Sequence, residues 1–594
     1  MSERDERGRD EQRKKRKRAT TACLACRARK TKCDNRRPCS FCAANGVACA
    51  YTETSPTVEP SHSDLLERIN HAVALLEALP QASPSHHNIK PASASVHIEA
   101  GVDRSDFTAD GFGQLEIPEA AAALIACESS LSWSCFSGLP AVQAVSSFLL
   151  QSDAGFDSDG IGTGIGIGIG IGRGIDEVDA VPLCQRFLDS FYQRNPVLDP
   201  VELLADARRI SEHGFGWDGR TCLVLLACAL GSLPHANHVP YSKRASVSAS
   251  SPVPSSRTVS DAYYAAARKR LGTLDPSVLA VKCYCYAGIY EKSIFQPLRA
   301  WPLFQHACAQ YQAYLWRKAN FPPRPTVEQN TTSYTEQRLY WFCVKTECEL
   351  RAELRLPRGS IIEFKYPGSF SGLSMPPPTG ASGPAEESSW FYYLAEISLR
   401  RIMNSVLEAF YCRQESWWST HNFALLLSQF TSFSDQLDLW RQHIPLPLQF
   451  DDLETPDSEF ALLLKGRYFT CLEWTQRPFL HYVLHHTPDD PYYPQAVPIA
   501  QRSLQSCSNL IVACSYNHRH GATWSVVRRA LTCAILLLAA ARGRFYAPSV
   551  DWEAGIRTTV QYIAKWEREA VDLQWANRVL QDILHDTLKR QSSI

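Results

Sequence analysis

Cys23, Cys26, Cys33, Cys39, Cys42 and Cys49 fall within 27 residues at the spacing C-x2-C-x6-C-x5-C-x2-C-x6-C. The run is one half-site written twice, a C-x2-C pair followed by a third cysteine after six intervening residues. Each half offers three thiolates, whereas a structural zinc ion takes four ligands in a tetrahedron. Two such ions need eight ligand positions from six sulfurs, and the shortfall closes if two cysteines bridge both metals. With four sulfurs each, neither ion keeps an open position for a catalytic water, so two structural Zn2+ ions are expected. A segment this short cannot fold on an apolar core alone, and the metal supplies its stability.

The chain has 594 residues, enough for more than one domain, and a formal net charge of zero. That zero hides a split. Residues 1–50 hold 15 Lys/Arg against six Asp/Glu, a net of +9, and the remainder nets −9. A basic arm for a polyanion and a mildly acidic body are implied. The charged N-terminus lacks the apolar core of a secretory signal. The most apolar run, Ala530 to Ala541, has 12 residues, short of the roughly 20 that span a bilayer. It reads as a buried core helix, and no membrane partner is expected. The other 15 of the 21 cysteines are scattered through apolar stretches. They suit a reducing compartment, as small core hydrophobes rather than a disulfide framework.

The order of segments follows from composition. Residues 1–18 read as a disordered basic arm, in which Arg13, Lys14, Lys15, Arg16, Lys17 and Arg18 suit nuclear import. The cluster occupies 19–50 and a Pro/Ser/Thr linker 51–63. Residues 64–79 read as a short coiled coil. Asp64 with Glu67 marks the helix start, and Leu66, Ile69, Val73 and Leu76 keep the 3-4-3 seam of a dimer. The competing reading of that helix is an amphipathic segment docked on the body. A disordered linker, 80–113, leads to a body over 114–594 with a Gly/Ile insert at 159–175. Every glycine from 160 to 174 has an even number. The three-residue step of a G-x-G-x-x-G phosphate cradle therefore never occurs there.

Apolar periodicity marks ten helical stretches in the body: Arg220–Leu233, Asp261–Leu271, Trp301–Lys318, Glu336–Leu354, Trp390–Tyr411, His421–His443, Glu459–His486, Ala500–Tyr516, Thr523–Arg542 and Val550–Lys589. Alternating strand patterns are scarce, and Pro240–Arg257 reads as a surface insertion. The fold expected is a small N-terminal cluster domain plus short coiled coil, followed by a large all-α domain. Catalytic motifs are missing: there is no G-x-S-x-G, no H-E-x-x-H and no Walker sequence. His481 and His485 have helical ligand spacing but no third ligand nearby. Asp451-Asp452 and Asp489-Asp490 read as solvated loop acids, and Cys283-Tyr-Cys285 as core. The last helix interleaves Trp575, Leu580 and Ile583 with Asp572, Asp582 and Asp586, a packing helix by preference and a coactivator-recruiting one by alternative.

The six-cysteine spacing, with Arg27, Arg29, Lys30 and Lys32 in its first half and Pro38 before Cys39, resembles the fungal Zn2Cys6 binuclear cluster transcription factors. That resemblance implies that the first and fourth cysteines bridge. Cys23, Cys26, Cys33 and Cys39 would hold one zinc, and Cys39, Cys42, Cys49 and Cys23 the other. It also implies that Lys30 contacts bases of a CGG triplet in double-stranded DNA. Arg27, Arg29 and Lys32 would lie nearer phosphates. A three-base-pair site is too short to single out a gene, so a homodimer reading two triplets is implied.

The body resembles the fungal-specific transcription factor middle-homology region, through Asn195-Pro-Val-Leu-Asp199, Glu347-Cys-Glu-Leu-Arg-Ala-Glu-Leu354 and Arg477-Pro-Phe479 among others. The expectation is a nuclear regulator of RNA polymerase II transcription, not an enzyme, that meets coregulators or the transcription machinery. The Glu347–Leu354 stretch adds pathway-specific control of a biosynthetic gene cluster. Rival readings are a DNA-tethered chromatin adaptor and an enzyme with a helical catalytic body.

Overall fold

The computed structural model describes, of the cysteine segment, residues 23, 25–26, 29, 31, 33–34, 36 and 38–49. Of the rest it describes 124–143, 175–233, 254–321, 329–354, 356–357, 359–362, 384–515 and 519–592. Two compact units divide the chain at Leu65/Leu66. The first contains the cysteine segment, with one short helix, α1 (Ser40–Ala44).

The regular elements of the second unit are all helices, with no strand among its described residues. Two short helices, α2 (Cys127–Ser130) and α3 (Pro140–Gln143), precede α4 (Ala180–Ser190), α5 (Pro200–His213) and α6 (Gly219–Gly231). Then come α7 (Pro254–Leu271), α8 (Val278–Ser293), α9 (Pro297–Asn320), α10 (Gln329–Leu354) and α11 (Pro384–Val406). The chain closes with α12 (Phe423–Gln442), α13 (Glu459–His485), α14 (Tyr493–Ser515), α15 (Thr523–Arg542), α16 (Trp552–Ala564) and α17 (Val571–Ser592). The all-α expectation holds.

The local chemistry explains several boundaries. Asp199 caps α5 by accepting from the Val201 and Glu202 amides, Pro200 fills the first position, and Gly214 leaves the helix at φ 83°. Asp218, Ser277, Ser458 and Asp551 cap α6, α8, α13 and α16 in the same way. Helix α6 is buried on all sides from Thr221 to Gly231 and packs against α4, α7 and α8. Gly231 permits the α4 crossing, because a Cβ there would lie 2.1 Å from the Leu183 carbonyl oxygen. Any larger residue would push the two helices apart.

Helices α13, α14, α15 and α16 form a second packed group joined to α11. Helix α10 connects the halves, packing on α8 and α9 at one side and α11 at the other. Helix α15 is long and apolar enough to cross a membrane, but 94% of its most apolar window is buried inside the body. Its burial makes it the core helix expected of Ala530–Ala541. All 21 cysteines are free thiols.

Three differences from the sequence reading have physical causes. Helices α4, α5 and α8 were missing from the expected set, although α5 carries a full cap signature. The stretch Val550–Lys589 is two helices, because residues 565–570 turn and seat Trp566 against Phe295, ring centroids 5.2 Å apart. The supposed insertion Pro240–Arg257 ends in helix, since α7 already starts at Pro254; residues 240–253 lie outside the described residues. So do 1–18, the 51–63 linker, the 64–79 helix with Leu66, Ile69, Val73 and Leu76, the 80–113 linker and residues 160–174 of the Gly/Ile insert.

Candidate metal centre and nucleic-acid interface

The two C-x2-C pairs fold alike. The Cys26 amide donates to Cys23 Sγ at 3.4 Å, and the Cys42 amide to Cys39 Sγ at 3.4 Å. Arg29 N donates to Ala25 O and Asn45 N to Phe41 O, both at 3.2 Å. Thr31 N reaches Cys26 O at 3.0 Å, and Val47 N reaches Cys42 O at 3.1 Å. Each of these three bonds of the first half recurs 16 positions later, so the repeated cysteine spacing is also a repeated backbone turn. Gly46 takes φ 60° within the second turn. The Asp34 carboxylate joins the halves by accepting from the Ser40 amide at 3.0 Å, which holds it below the usual carboxylate range.

The sulfurs converge. Cys23 Sγ lies 3.8 Å from Cys39 Sγ and 3.6 Å from Cys42 Sγ, while Cys26 Sγ lies 3.6 Å from Cys39 Sγ. A zinc–sulfur bond of about 2.3 Å gives a tetrahedron edge of about 3.8 Å, so these separations fit a zinc thiolate cage. Two groups have all four sulfurs within 4.8 Å of one another: Cys23, Cys26, Cys33, Cys39 and Cys23, Cys39, Cys42, Cys49. Cys23 and Cys39 belong to both. Neither group includes a carboxylate or an imidazole. Cys23, Cys26, Cys39 and Cys42 are buried, while Cys33 and Cys49 are half-buried.

As free thiols the six are unevenly ready to ionise. The Cys26 amide draws Cys23 down to about 6, whereas burial, ahead of the neighbouring sulfurs, pushes Cys42 up to about 12. A divalent cation shared between the groups would displace the remaining thiol protons.

Of the four basic residues expected at DNA, Arg29 is described and exposed. Arg27, Lys30 and Lys32 lie outside the described residues, as does the run Arg13 to Arg18.

The body's candidate chemistry resolves into packing. His481 and His485 stack at 3.9 Å, and His485 Nδ1 bonds the His481 carbonyl at 2.8 Å. Trp133 and Trp418 meet His481 edge-on, and no third ligand joins it in a metal-holding group among the described residues. Asp451 accepts from the Leu453 amide in a turn, and Asp452 pairs with Arg441 at 2.7 Å. Asp490 differs from a solvated acid: it accepts from Tyr482 and Thr420 hydroxyls, each at 2.6 Å, and ties its loop to α13. Cys283 and Cys285 are fully buried. In α17, Leu573, Val579, Leu580 and Ile583 are buried, Asp572 accepts from Trp524 Nε1 and Asp586 pairs with Arg542. The packing reading of that helix is the one observed.

Sequence reasoning passed over a buried set of ionisable groups where α8, α10, α11 and α13 meet. Glu349 carries it on α10, while on the same helix Glu347 accepts from Gln305 of α9 and Glu353 faces Arg528 of α15. The signal was present as charge on a helix with no polar face.

The profile of the fungal Zn(2)-Cys(6) binuclear cluster domain matches residues 21–57. "Fluconazole resistance protein 1" of Candida albicans is 39% identical over 77 residues, 12% of this chain and 15% of that protein. An uncharacterized transcriptional regulatory protein of Schizosaccharomyces pombe is 37% identical over 76 residues, 12% of this chain and 13% of its own. The chain thus spans less than a sixth of the length of either. "Putative transcription factor ecdB" of Aspergillus rugulosus is 21% identical over 549 residues, 84% of each chain. A domain of the matched kind binds two zinc ions, as the doubled sulfur cage accommodates. Together with relatives named as a transcription factor and a transcriptional regulatory protein, the matched domain supports a DNA-binding transcription regulator.

Proposed function

We propose that the protein is a nuclear, sequence-specific regulator of RNA polymerase II transcription that reads CGG-type half-sites through the first half of its cysteine segment. One observation carries the choice of half. The two turns share their hydrogen bonds, yet residues 27–32 read Arg-Ala-Arg-Lys-Thr-Lys and residues 43–48 read Ala-Ala-Asn-Gly-Val-Ala. Four cations stand on the first turn and none on the second. Arginine and lysine suit guanine O6 and N7 in the major groove, and their neighbours suit phosphates. In this reading Lys30 faces bases, and Arg27, Arg29 and Lys32 face the backbone.

The six cysteines are the ligands of two structural zinc ions, Cys23 and Cys39 serving both. When bound, the ions cross-link a segment with almost no apolar core. The chain's own part is to hold the sulfurs at tetrahedral spacing and to aim the first turn outward.

Residues 64–79 pair two copies through Leu66, Ile69, Val73 and Leu76, so that two triplets are read together. The Arg13–Arg18 run directs import. The body is the middle-homology region of these factors, contacts coregulators and serves a biosynthetic gene cluster. Supporting the last point is the resemblance of residues 347–354.

Selection of binding sites from randomised duplexes, with the full-length zinc-loaded protein, tests the reading. Enriched paired CGG triplets are expected, with a fixed spacing. Retention of DNA without any enriched motif would instead favour a chromatin adaptor, and defeats specific reading.

A further inference from the structure

Four helices bring six ionisable side chains together inside the body. Lys292 of α8, Lys345 and Glu349 of α10, Glu396 and Arg400 of α11 and Arg467 of α13 are all buried. Lys292 Nζ lies 3.1 Å from Glu349 Oε2, and Lys345 Nζ lies 2.9 Å from Glu396 Oε2. Arg467 Nη2 bridges both carboxylates, 2.5 Å from Glu349. Burial alone raises a carboxyl. Lys292 and Arg467 beside Glu349, and Arg467 and Lys345 beside Glu396, outweigh it and hold both below the ordinary range.

Both carboxylates are therefore ionised, and four cations face two anions. Burial weakens the hold of Lys292 on its proton. Even with that amine neutral, the set keeps an excess of positive charge, because arginine does not deprotonate.

The excess is localised. Arg400 is 3% exposed, and its nearest carboxylate oxygen, Glu349 Oε1, stands 3.7 Å away, beyond hydrogen bonding. None of its three guanidinium nitrogens has a hydrogen-bond partner among the described residues. Arg351, 1% exposed on α10, leaves Nε and Nη1 equally unmet. Arg351 stands one helical turn after Cys348 on α10 and Arg400 one turn before Asn404 on α11, and Cys348 and Asn404 touch across the two helices. Asn404 Nδ2 donates to the Cys348 sulfur at 3.6 Å. A buried guanidinium nitrogen without an acceptor is strongly unfavourable, and five of them lie on the packed pair α10 and α11.

We propose that the body binds a small oxyanion, a carboxylate or phosphate group of a low-molecular-weight compound, between Arg400 and Arg351. The planar guanidinium fork matches two oxygens of either group. Glu349 and Glu396 border the site and weaken binding by their charge. Nothing in this assignment depends on what the cysteine segment does.

The test is isothermal titration and thermal unfolding of the full-length zinc-loaded protein, with sodium phosphate and with sodium succinate, ionic strength held constant with sodium chloride. A saturable heat and a rising melting temperature are expected with at least one of the two; which one responds identifies the headgroup. Arg400→Gln should weaken that binding by about tenfold or more, an amount typical of a lost charge-assisted pair. Arg351→Gln should do likewise, and serves alone if Arg400→Gln does not fold. Glu396→Gln should tighten binding, which loss of packing would not do. No saturable response to either probe, an equal response to chloride alone, or unchanged binding in both arginine variants overturns the proposal. DNA binding of the same preparations, read separately, distinguishes loss of this site from failure of the cluster.

Discussion

Cys23 Sγ and Cys39 Sγ sit 3.8 Å apart and are the only two sulfurs common to both four-sulfur groups of the described residues. The groups meet along that single edge. Substituting a shared vertex therefore differs in kind from substituting any other cysteine.

Cys39→Ala should reduce bound zinc from two ions per chain to about none, measured by elemental analysis of the full-length protein. Cys49→Ala removes a vertex of one group only and should leave about one ion. Structural zinc contributes on the order of 10 kcal/mol to such domains, so Cys39→Ala should also abolish specific DNA binding. Two retained ions in Cys39→Ala would refute the sharing.

Lys30→Ala should relax the preference for CGG while leaving zinc content at two, costing about 1–3 kcal/mol at the cognate site. Arg29→Ala should weaken all duplexes alike and lower the salt slope of binding by about one. Electrophoretic titrations at several salt concentrations separate the two effects. Equal behaviour of the two variants would count against the division of labour.

Arg477 and Glu473 form a buried pair on α13, with bonds of 2.6 and 2.9 Å, and Arg477 also donates to the Leu124 and Ile125 carbonyls. Arg477→Met leaves a buried carboxylate alone and frees the segment before α2. A loss of about 3–5 kcal/mol is expected, with new proteolysis near residue 124. Glu473→Gln added to Arg477→Met should recover part of it, as measured by denaturant midpoints.

His481 supplies a pH dependence. Burial, with His485 and His486 beside it, lowers its pKa to about 3; the Glu415 carboxylate 3.9 Å away is itself raised by burial and is a weak counterion. The folded state keeps this imidazole neutral while the unfolded chain takes up a proton near pH 6.5. Its stabilisation is thus present above pH 6.5 and falls as pH drops toward 3. Between pH 7 and pH 5 the loss should be about 2 kcal/mol. His481→Phe should flatten that part of the stability curve, and an unchanged curve would rule the residue out.

Legibility in the sequence followed the kind of force involved. The cysteine spacing was readable because metal geometry admits few arrangements. Helix α15 was readable because its apolar run exceeds what any loop carries. The break between α16 and α17 was not, since Lys565 to Ala570 holds neither Gly nor Pro; Trp566 is drawn aside by Phe295 and by Arg519, 5.1 Å from its ring. Such a tertiary anchor leaves no local mark. Helix α5 did leave one in Asp199-Pro200 and Gly214. The buried charges of α10 were hidden by the general rule that charged side chains face water, a rule four converging helices overrule here. Asp490 misled for the same reason, as its two hydroxyl donors come from residues 8 and 70 positions away.

The 16-residue offset makes the two halves of the cysteine segment interchangeable as scaffold. Exchanging the hexapeptides 27–32 and 43–48 would carry the cations to the opposite side of an unaltered sulfur cage. The lysine arriving at position 46 would inherit φ 60°, at about 1–2 kcal/mol for an L residue. If the first turn reads DNA as proposed, the way the protein points along a duplex is written in six side chains rather than in the metal, and the exchange should reverse it.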